Sequence, residues 1–255
     1  MIIRAIVRVV LYSLVCFLVA CTKPVSDQTI VHVESSVVHI SCYDENRMGY
    51  GSGTGFFVNR DGYFVFPRHV RDSDERKNTI AHTCQLAVDL SQQNWQGHKY
   101  LPRAVNCVTD QTHDISACQL RLNPFQHPES FTISVATLQT QTQTNGVAVA
   151  YVGFPINTLA PVADKGTVSG YYDGAVNYTN SRMDAWPYQL PVPGPYLNAQ
   201  CVDCPDIEGF SGGPVFLANG EVIGMVVAAG KHEISAVPAS VIADFLRRNS
   251  IATNQ

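Results

Sequence analysis

The sequence predicts an all-β fold closed by one C-terminal helix, and three observations carry that prediction. The turn dipeptides Asp61-Gly62 and Asn219-Gly220 each lie between apolar runs rich in Val, Phe and Ile, the pattern of a two-strand hairpin. Asn145-Gly146 and Asp173-Gly174 cut the remaining chain into further strand-length pieces. Helical spacing is confined to "PASVIADFLRRNS", where Val241, Ile242, Phe245 and Leu246 share a face. Pro238 precedes that stretch, and Arg247 and Arg248 suit the negative end of a helix dipole.

In chain order the first element is a leader. "MIIRAIVRVVLYSLVCFLVAC" has Arg4 and Arg8, then an uncharged apolar run from Val9 to Ala20, shorter than the roughly twenty residues that span a bilayer. Its end, Leu18-Val19-Ala20-Cys21, resembles the lipobox of bacterial lipoproteins, which is cut before the cysteine and acylated on it. Residues 1–20 are therefore expected to be a lipoprotein-type signal, Cys21 the lipidation site, and a lipid anchor the link to a membrane. The expected location is the bacterial cell envelope. Thr22 rather than an aspartate after the cysteine points to the outer membrane, facing the periplasm or the surface.

Residues 21–255 are a length that β-barrel proteins often use as one unit. The net charge is −4, without a basic run or aromatic-basic interleaving, so no nucleic-acid partner is expected. Six cysteines follow the leader: Cys42, Cys84, Cys107, Cys118, Cys201 and Cys204. An even set in an exported chain reads as disulfides with the pairing open, and Cys201-x-x-Cys204 lacks the second pair that zinc needs.

The first hairpin, "GTGFFVNRDGYFVF", lies in one half of the chain and the second, "GPVFLANGEVIGMVVAA", in the other. Their likeness suggests two similar barrels, over residues 30–136 and 147–238, with the helix at 239–248. The polar stretch "TLQTQTQTNG", Thr137 to Gly146, reads as the linker between them.

"EGFSGGPVF" sets Ser211 among Gly209, Phe210, Gly212 and Gly213. Glycines around a serine mark either a tight turn alone or a nucleophile on one. As a G-x-S-x-G elbow the serine would need its acid and then its histidine downstream, yet the sole downstream histidine, His232, precedes the sole aspartate, Asp244. The other chain order, His then Asp then Ser, needs both partners upstream. "FVFPRHVRD" puts His69 just past a buried strand, and "TDQTHDISACQL" puts Asp114 at the entrance of another, Ile115 to Leu120.

Four blocks in this order resemble the trypsin-like (chymotrypsin-fold) serine proteases, most closely the bacterial HtrA group. They are "GSGTGFFVNRDGYFVFPRHV", "HDISACQL", "GFSGGPVFLANGEVIGM" and "ISAVPASVIADFL". The regulatory PDZ domains of many members have no counterpart, nor does the segment from Tyr171 to Cys204. The resemblance implies two six-stranded Greek-key β-barrels with a short C-terminal helix and the site between them. It implies a serine endopeptidase that cuts protein or peptide substrates through an acyl-enzyme, without metal or organic cofactor. His69, Asp114 and Ser211 are then the catalytic trio, and the amides of Gly209 and Ser211 the oxyanion hole. Val227, Ala228 and Ala229 become a wall of the substrate pocket, for which a neutral preference is expected.

Phe210 departs from the family's usual Asp or Asn, Pro67-Arg68 from its small or amide residues, and Val227 from a Ser or Thr that often steadies the triad aspartate. Two other functions fit the same residues: a noncatalytic surface lipoprotein that uses a protease fold for binding, and an esterase.

Overall fold

The computed structural model describes residues 23–43, 49–71, 83–88, 104–121, 123–126, 133–155, 158, 160–172, 177–179, 187–189, 196–201, 209–229 and 233–253. The chain begins with helix α1 (Asp27–Glu34), strands β1 (Val37–Tyr43), β2 (Gly49–Phe57) and β3 (Tyr63–Pro67), and a single helical turn α2 (Arg68–Arg71). Strands β4 (Thr83–Val88), β5 (Ala104–Asp110) and β6 (Ile115–Leu120) complete the first sheet. The second half holds β7 (Ala148–Gly153), β8 (Val162–Tyr172), β9 (Asn177–Thr179), β10 (Pro187–Gln189), β11 (Tyr196–Cys201), β12 (Pro214–Phe216), β13 (Val222–Ala229), β14 (Glu233–Pro238) and helix α3 (Ala239–Arg248).

Both expected hairpins form. β2 pairs antiparallel with β3 and β12 with β13, across turns whose Gly62 and Gly220 have φ of 82° and 86°, the left-handed region that glycine enters without penalty. The first sheet has the order β4-β1-β2-β3-β6-β5, and the second unit is a closed barrel, β11-β14-β13-β12-β7-β8. The all-β class with two six-stranded units is thus the one expected, in the chymotrypsin-like arrangement.

In the first unit the end strands β4 and β5 lie against each other, without ladder pairing among the described residues. β5 carries a register shift between Val105 and Val108, with Asn106 at φ 51°, and such a bulge bends a strand and interrupts its ladder.

A helix was expected only at the C-terminus, and α1 corrects this. The Ser26 side chain accepts the Thr29 N–H at 3.1 Å, and Asp27 lies at the positive end of the dipole. Thr137 to Gly146 is also less loose than a linker reading implies: Gln139 N–H donates to Val222 O at 2.8 Å, and Val222 N–H to Thr137 O at 2.8 Å. Cys21 and Cys204, with the rest of the leader and the Asp173-Gly174 turn, lie outside the described residues. Among the described residues no helix is long and apolar enough to cross a membrane.

Apolar burial explains how the halves hold together. One cluster lies inside the first unit around Ile40, Phe57, Phe64 and Phe66, and another inside the second around Tyr151, Leu197, Phe210 and Ile223. A third joins Val65 and Ile115 of the first unit to Val152, Phe216 and Val227 of the second and to Phe245 of α3. Each such side chain, taken out of water, contributes about 1.5–3 kcal/mol, so the seam between the units is itself core. Cys107 and Cys118 form a disulfide across β5 and β6. Cys42 is also disulfide-bonded, and Cys84 faces it in the β1–β4 register.

Candidate active site

β3 ends at Pro67, and the chain turns at once into α2, which carries His69 away from the sheet. From the neighbouring strand pair, β5 ends at Asp110 and β6 starts at Ile115, opposite each other in register. The four residues between them form a hairpin loop whose last residue is Asp114. It has φ of 53°, a conformation that aspartate tolerates better than most side chains.

Asp110 organises this loop. Its Oδ1 accepts the N–H groups of Thr112 (2.8 Å) and His113 (3.2 Å), while Oδ2 meets His113 Nδ1 at 3.1 Å and Arg248 Nη2 of α3 at 2.9 Å. Burial pushes the Asp110 carboxyl up, but the hydrogen bonds from His113, Arg248 and Thr112 outweigh it and hold the group below its ordinary value.

The loop delivers Asp114 to His69 with two contacts. Asp114 Oδ2 lies 2.6 Å from His69 Nδ1, and Oδ1 accepts the His69 backbone N–H at 2.9 Å. Arg68 N–H donates to the Asp114 carbonyl at 3.1 Å, so the two segments are joined through main chain as well. The Asp114 side chain is 3% exposed and that of His69 21%, so the acid is shielded more fully than the imidazole. A short charge-assisted bond in such a setting fixes ring orientation and the position of the Nδ1 proton.

Ser211 lies on the turn before β12, and the glycines there answer to space. A Cβ on Gly212 would sit 1.7 Å from Thr54 O and 2.8 Å from Pro67 Cδ, and Gly212 has φ of 100°. A Cβ on Gly213 would sit 2.0 Å from Val152 O. The loop is pinned to β13 by Gly212 N–H to Val226 O (2.7 Å) and Val226 N–H to Gly213 O (2.8 Å). Phe210, the departure from the family pattern, is fully buried in the second unit's core. It packs edge-on against Tyr151 with centroids 6.1 Å apart. An apolar side chain therefore anchors the loop from below.

The structure joins His69 directly to Asp114 and sets the Ser211 loop beside the His69 segment. Gly212 abuts Pro67, and a Cβ on Gly53 would meet both Val70 (2.7 Å) and Ser211 O (2.9 Å). Among the described residues Ser211 Oγ has no hydrogen-bond partner, so no bond to His69 is closed. Gly209 has φ of 100°, and among the described residues neither its N–H nor that of Ser211 donates to an acceptor.

Val227 is 2% exposed and packs into the core between the units. Ala228 is partly buried, and of Ala229, the last residue of β13, only the backbone is described. Thr54, Asp110 and Arg248 also contact the site's loops, Thr54 through its hydroxyl bond to Gly209 O at 2.6 Å, and no local sequence pattern marks them.

Two packed six-stranded β-units, with a histidine and a buried aspartate from one beside a glycine-held serine from the other, form the arrangement of a trypsin-like peptidase. The chain belongs to that family: the trypsin-like peptidase domain model matches residues 53–225, more than half its length. Among solved structures it is similar to the Rv3671c protease of M. tuberculosis in its active form, at 19% identity and TM-score 0.64. That alignment covers 92% of this chain and 90% of that one. The inactive form of the same protease (18%, TM-score 0.59, coverage 90% and 97%) and Deg5 (17%, TM-score 0.59, coverage 89% and 97%) share the fold as well. No curated protein matches the sequence.

Proposed function

We propose that the chain is a serine endopeptidase that cuts peptide bonds through an acyl-enzyme on Ser211. His69 removes the Ser211 proton and passes it to the leaving amine, and Asp114 holds the imidazole and stabilises its cationic form. The two-point grip of Asp114 on His69, at 2.6 and 2.9 Å, is the observation that carries this reading. It commits Nδ1 to the acid, which leaves Nε2 as the ring position that serves as base.

The amides of Gly209 and Ser211 are the oxyanion donors in this reading. One such donor is worth roughly a hundred- to a thousandfold in rate. Ser211 Oγ reaches His69 by rotation of the side chains once substrate fills the cleft, since catalytic hydrogen bonds often tighten only in the complex. Ala228 and Ala229, with the backbone of the buried Val227, supply a neutral edge to the substrate pocket in this reading and favour an uncharged residue before the scissile bond. Cys21 is proposed as the acylated anchor to the cell envelope, and loss of palmitate incorporation in Cys21→Ser tests that.

Casein hydrolysis by the protein and by Ser211→Ala tests the activity. Turnover should fall by about a millionfold, as in comparable triad deletions. A drop below tenfold would mean that another nucleophile acts.

A further inference from the structure

The nucleophile loop is held by a residue that lies far from it in sequence. Three consecutive carbonyls of the loop each accept a hydrogen bond: Gly209 O from Thr54 Oγ1 (2.6 Å), Phe210 O from Gly213 N–H (2.8 Å) and Ser211 O from Thr54 N–H (2.8 Å). Two of the three donors belong to Thr54 of β2, which is fully buried. Its hydroxyl also accepts the Phe154 N–H at 2.9 Å, just past β7. One side chain of the first unit thus bonds two separate segments of the second, the nucleophile loop and the end of β7.

The direction of that hydroxyl proton is set by chemistry. A threonine hydroxyl has one proton to give, and Phe154 N–H occupies a lone pair, so the proton points at Gly209 O. In a trans peptide the C=O of one residue points opposite to the N–H of the next, so the bond on Phe210 O sets the Ser211 amide and the bond on Gly209 O fixes the peptide between the Gly209 and Ser211 amides. Gly209 is the residue best able to escape this arrangement, because at φ of 100° it has the backbone freedom to let its peptides rotate. The Thr54 hydroxyl bond falls on Gly209's own carbonyl and so holds one of the two peptides that meet at this pivot.

We propose that Thr54 is a positioning residue for the reaction: its hydroxyl, rather than its bulk, locks the Gly209–Phe210 peptide, which lies between the peptides that carry the Gly209 and Ser211 amides, and so fixes the backbone from which both face the developing oxyanion. The proposal rests on the hydrolase reading above and adds to it that the oxyanion loop is assembled jointly by both β-units. Removing the hydroxyl leaves the Gly209 carbonyl and the Phe154 amide buried without a partner, and the loop gains an alternative peptide orientation.

Thr54→Val keeps the shape and deletes the hydroxyl, Thr54→Ser keeps the hydroxyl, and Thr54→Cys replaces it with a weak donor. Fluorophosphonate labelling rates, kcat and KM on a peptide substrate, and amide exchange at Gly212 and Gly213 should be measured for all three. Thr54→Val should lose on the order of ten- to a hundredfold in labelling rate and kcat, with KM within about twofold. That loss is smaller than outright deletion of an oxyanion donor. Its loop amides should exchange faster. Thr54→Ser should recover most of the loss, and Thr54→Cys should fall between.

A folded Thr54→Val that labels at the parent rate overturns the proposal, and so does Thr54→Ser impaired as badly as Thr54→Val. Should Thr54→Val not fold, a parent labelling rate in Thr54→Cys overturns it equally. A parent protein that never labels overturns the hydrolase reading, and the role in the reaction with it. Faster loop exchange in Thr54→Val would then still support the anchor as a feature of the fold. Parent labelling with unchanged variants rejects Thr54 alone.

Discussion

His69 and Asp114 are joined twice, ring to carboxylate at 2.6 Å and main chain to carboxylate at 2.9 Å, so neither can turn without breaking a bond to the other. The acid sets both the position of the helical turn and the tautomer of the ring. Asp114→Asn preserves much of the shape but favours the wrong tautomer, and kcat should fall by about ten-thousandfold, as for comparable triads. A stopped assay with an activated ester and a peptide checks this. A loss under tenfold on the peptide would remove Asp114 from the mechanism.

Gly212 is the tightest point of the nucleophile loop. Gly212→Ala would force a methyl to within 1.7 Å of Thr54 O at a φ of 100°. The expected cost exceeds about 3 kcal/mol, in the range reserved for backbone strain and overpacking. Urea unfolding should show a lower midpoint, and labelling of the folded fraction should be lost. A midpoint within error of the parent would mean that the loop has more room than the geometry gives it.

His39 predicts a pH effect on stability. Its ring stacks obliquely on Phe154 with centroids 5.4 Å apart, its Nε2 lies 2.9 Å from Ser52 Oγ, and burial lowers its pKa below the ordinary 6.5. A depressed folded value means that the unfolded chain binds more protons between the two values. The contribution to stability is therefore present above pH 6.5 and is lost as pH falls toward the folded value. Unfolding midpoints measured from pH 7.5 to about 5 should decline more steeply for the parent than for His39→Gln. Parallel curves would contradict the assignment.

The Cys107–Cys118 bridge closes a loop with a sequence separation of 11 on the same hairpin that carries Asp110 and Asp114. Replacing both with serine should cost about 2–3 kcal/mol by loop-closure entropy. The rate of labelling of the folded protein should persist, since no cysteine belongs to the proposed trio. Loss of labelling with an unchanged circular dichroism spectrum would show that the bridge shapes the site.

Much of this was legible in the sequence because it depends on short-range rules. Asp61-Gly62 and Asn219-Gly220 announce their hairpins through the backbone freedom that the turns require. Val241, Ile242, Phe245 and Leu246 announce α3 by spacing. Chain order and four flanking blocks pick out His69, Asp114 and Ser211 as a set, and the structure brings the first two into contact.

What stayed hidden acts across long separations or through single atoms. Thr54 Oγ1 meets partners 155 and 100 residues away, and Arg248 meets Asp110 at 138, so no local pattern signals either contact. Helix α1 is eight residues long with only Val33 buried, too short for periodicity to reveal; its signal was Ser26 as a cap ahead of Asp27.

Mapping a fluorophosphonate adduct by mass spectrometry, on the parent and on His69→Ala, tests the central claim most directly. A single adduct on Ser211 that forms readily in the parent and at a rate lower by at least about a thousandfold in His69→Ala is the expected result. No adduct across a broad pH range, or one on Ser211 whose rate ignores His69, would contradict it.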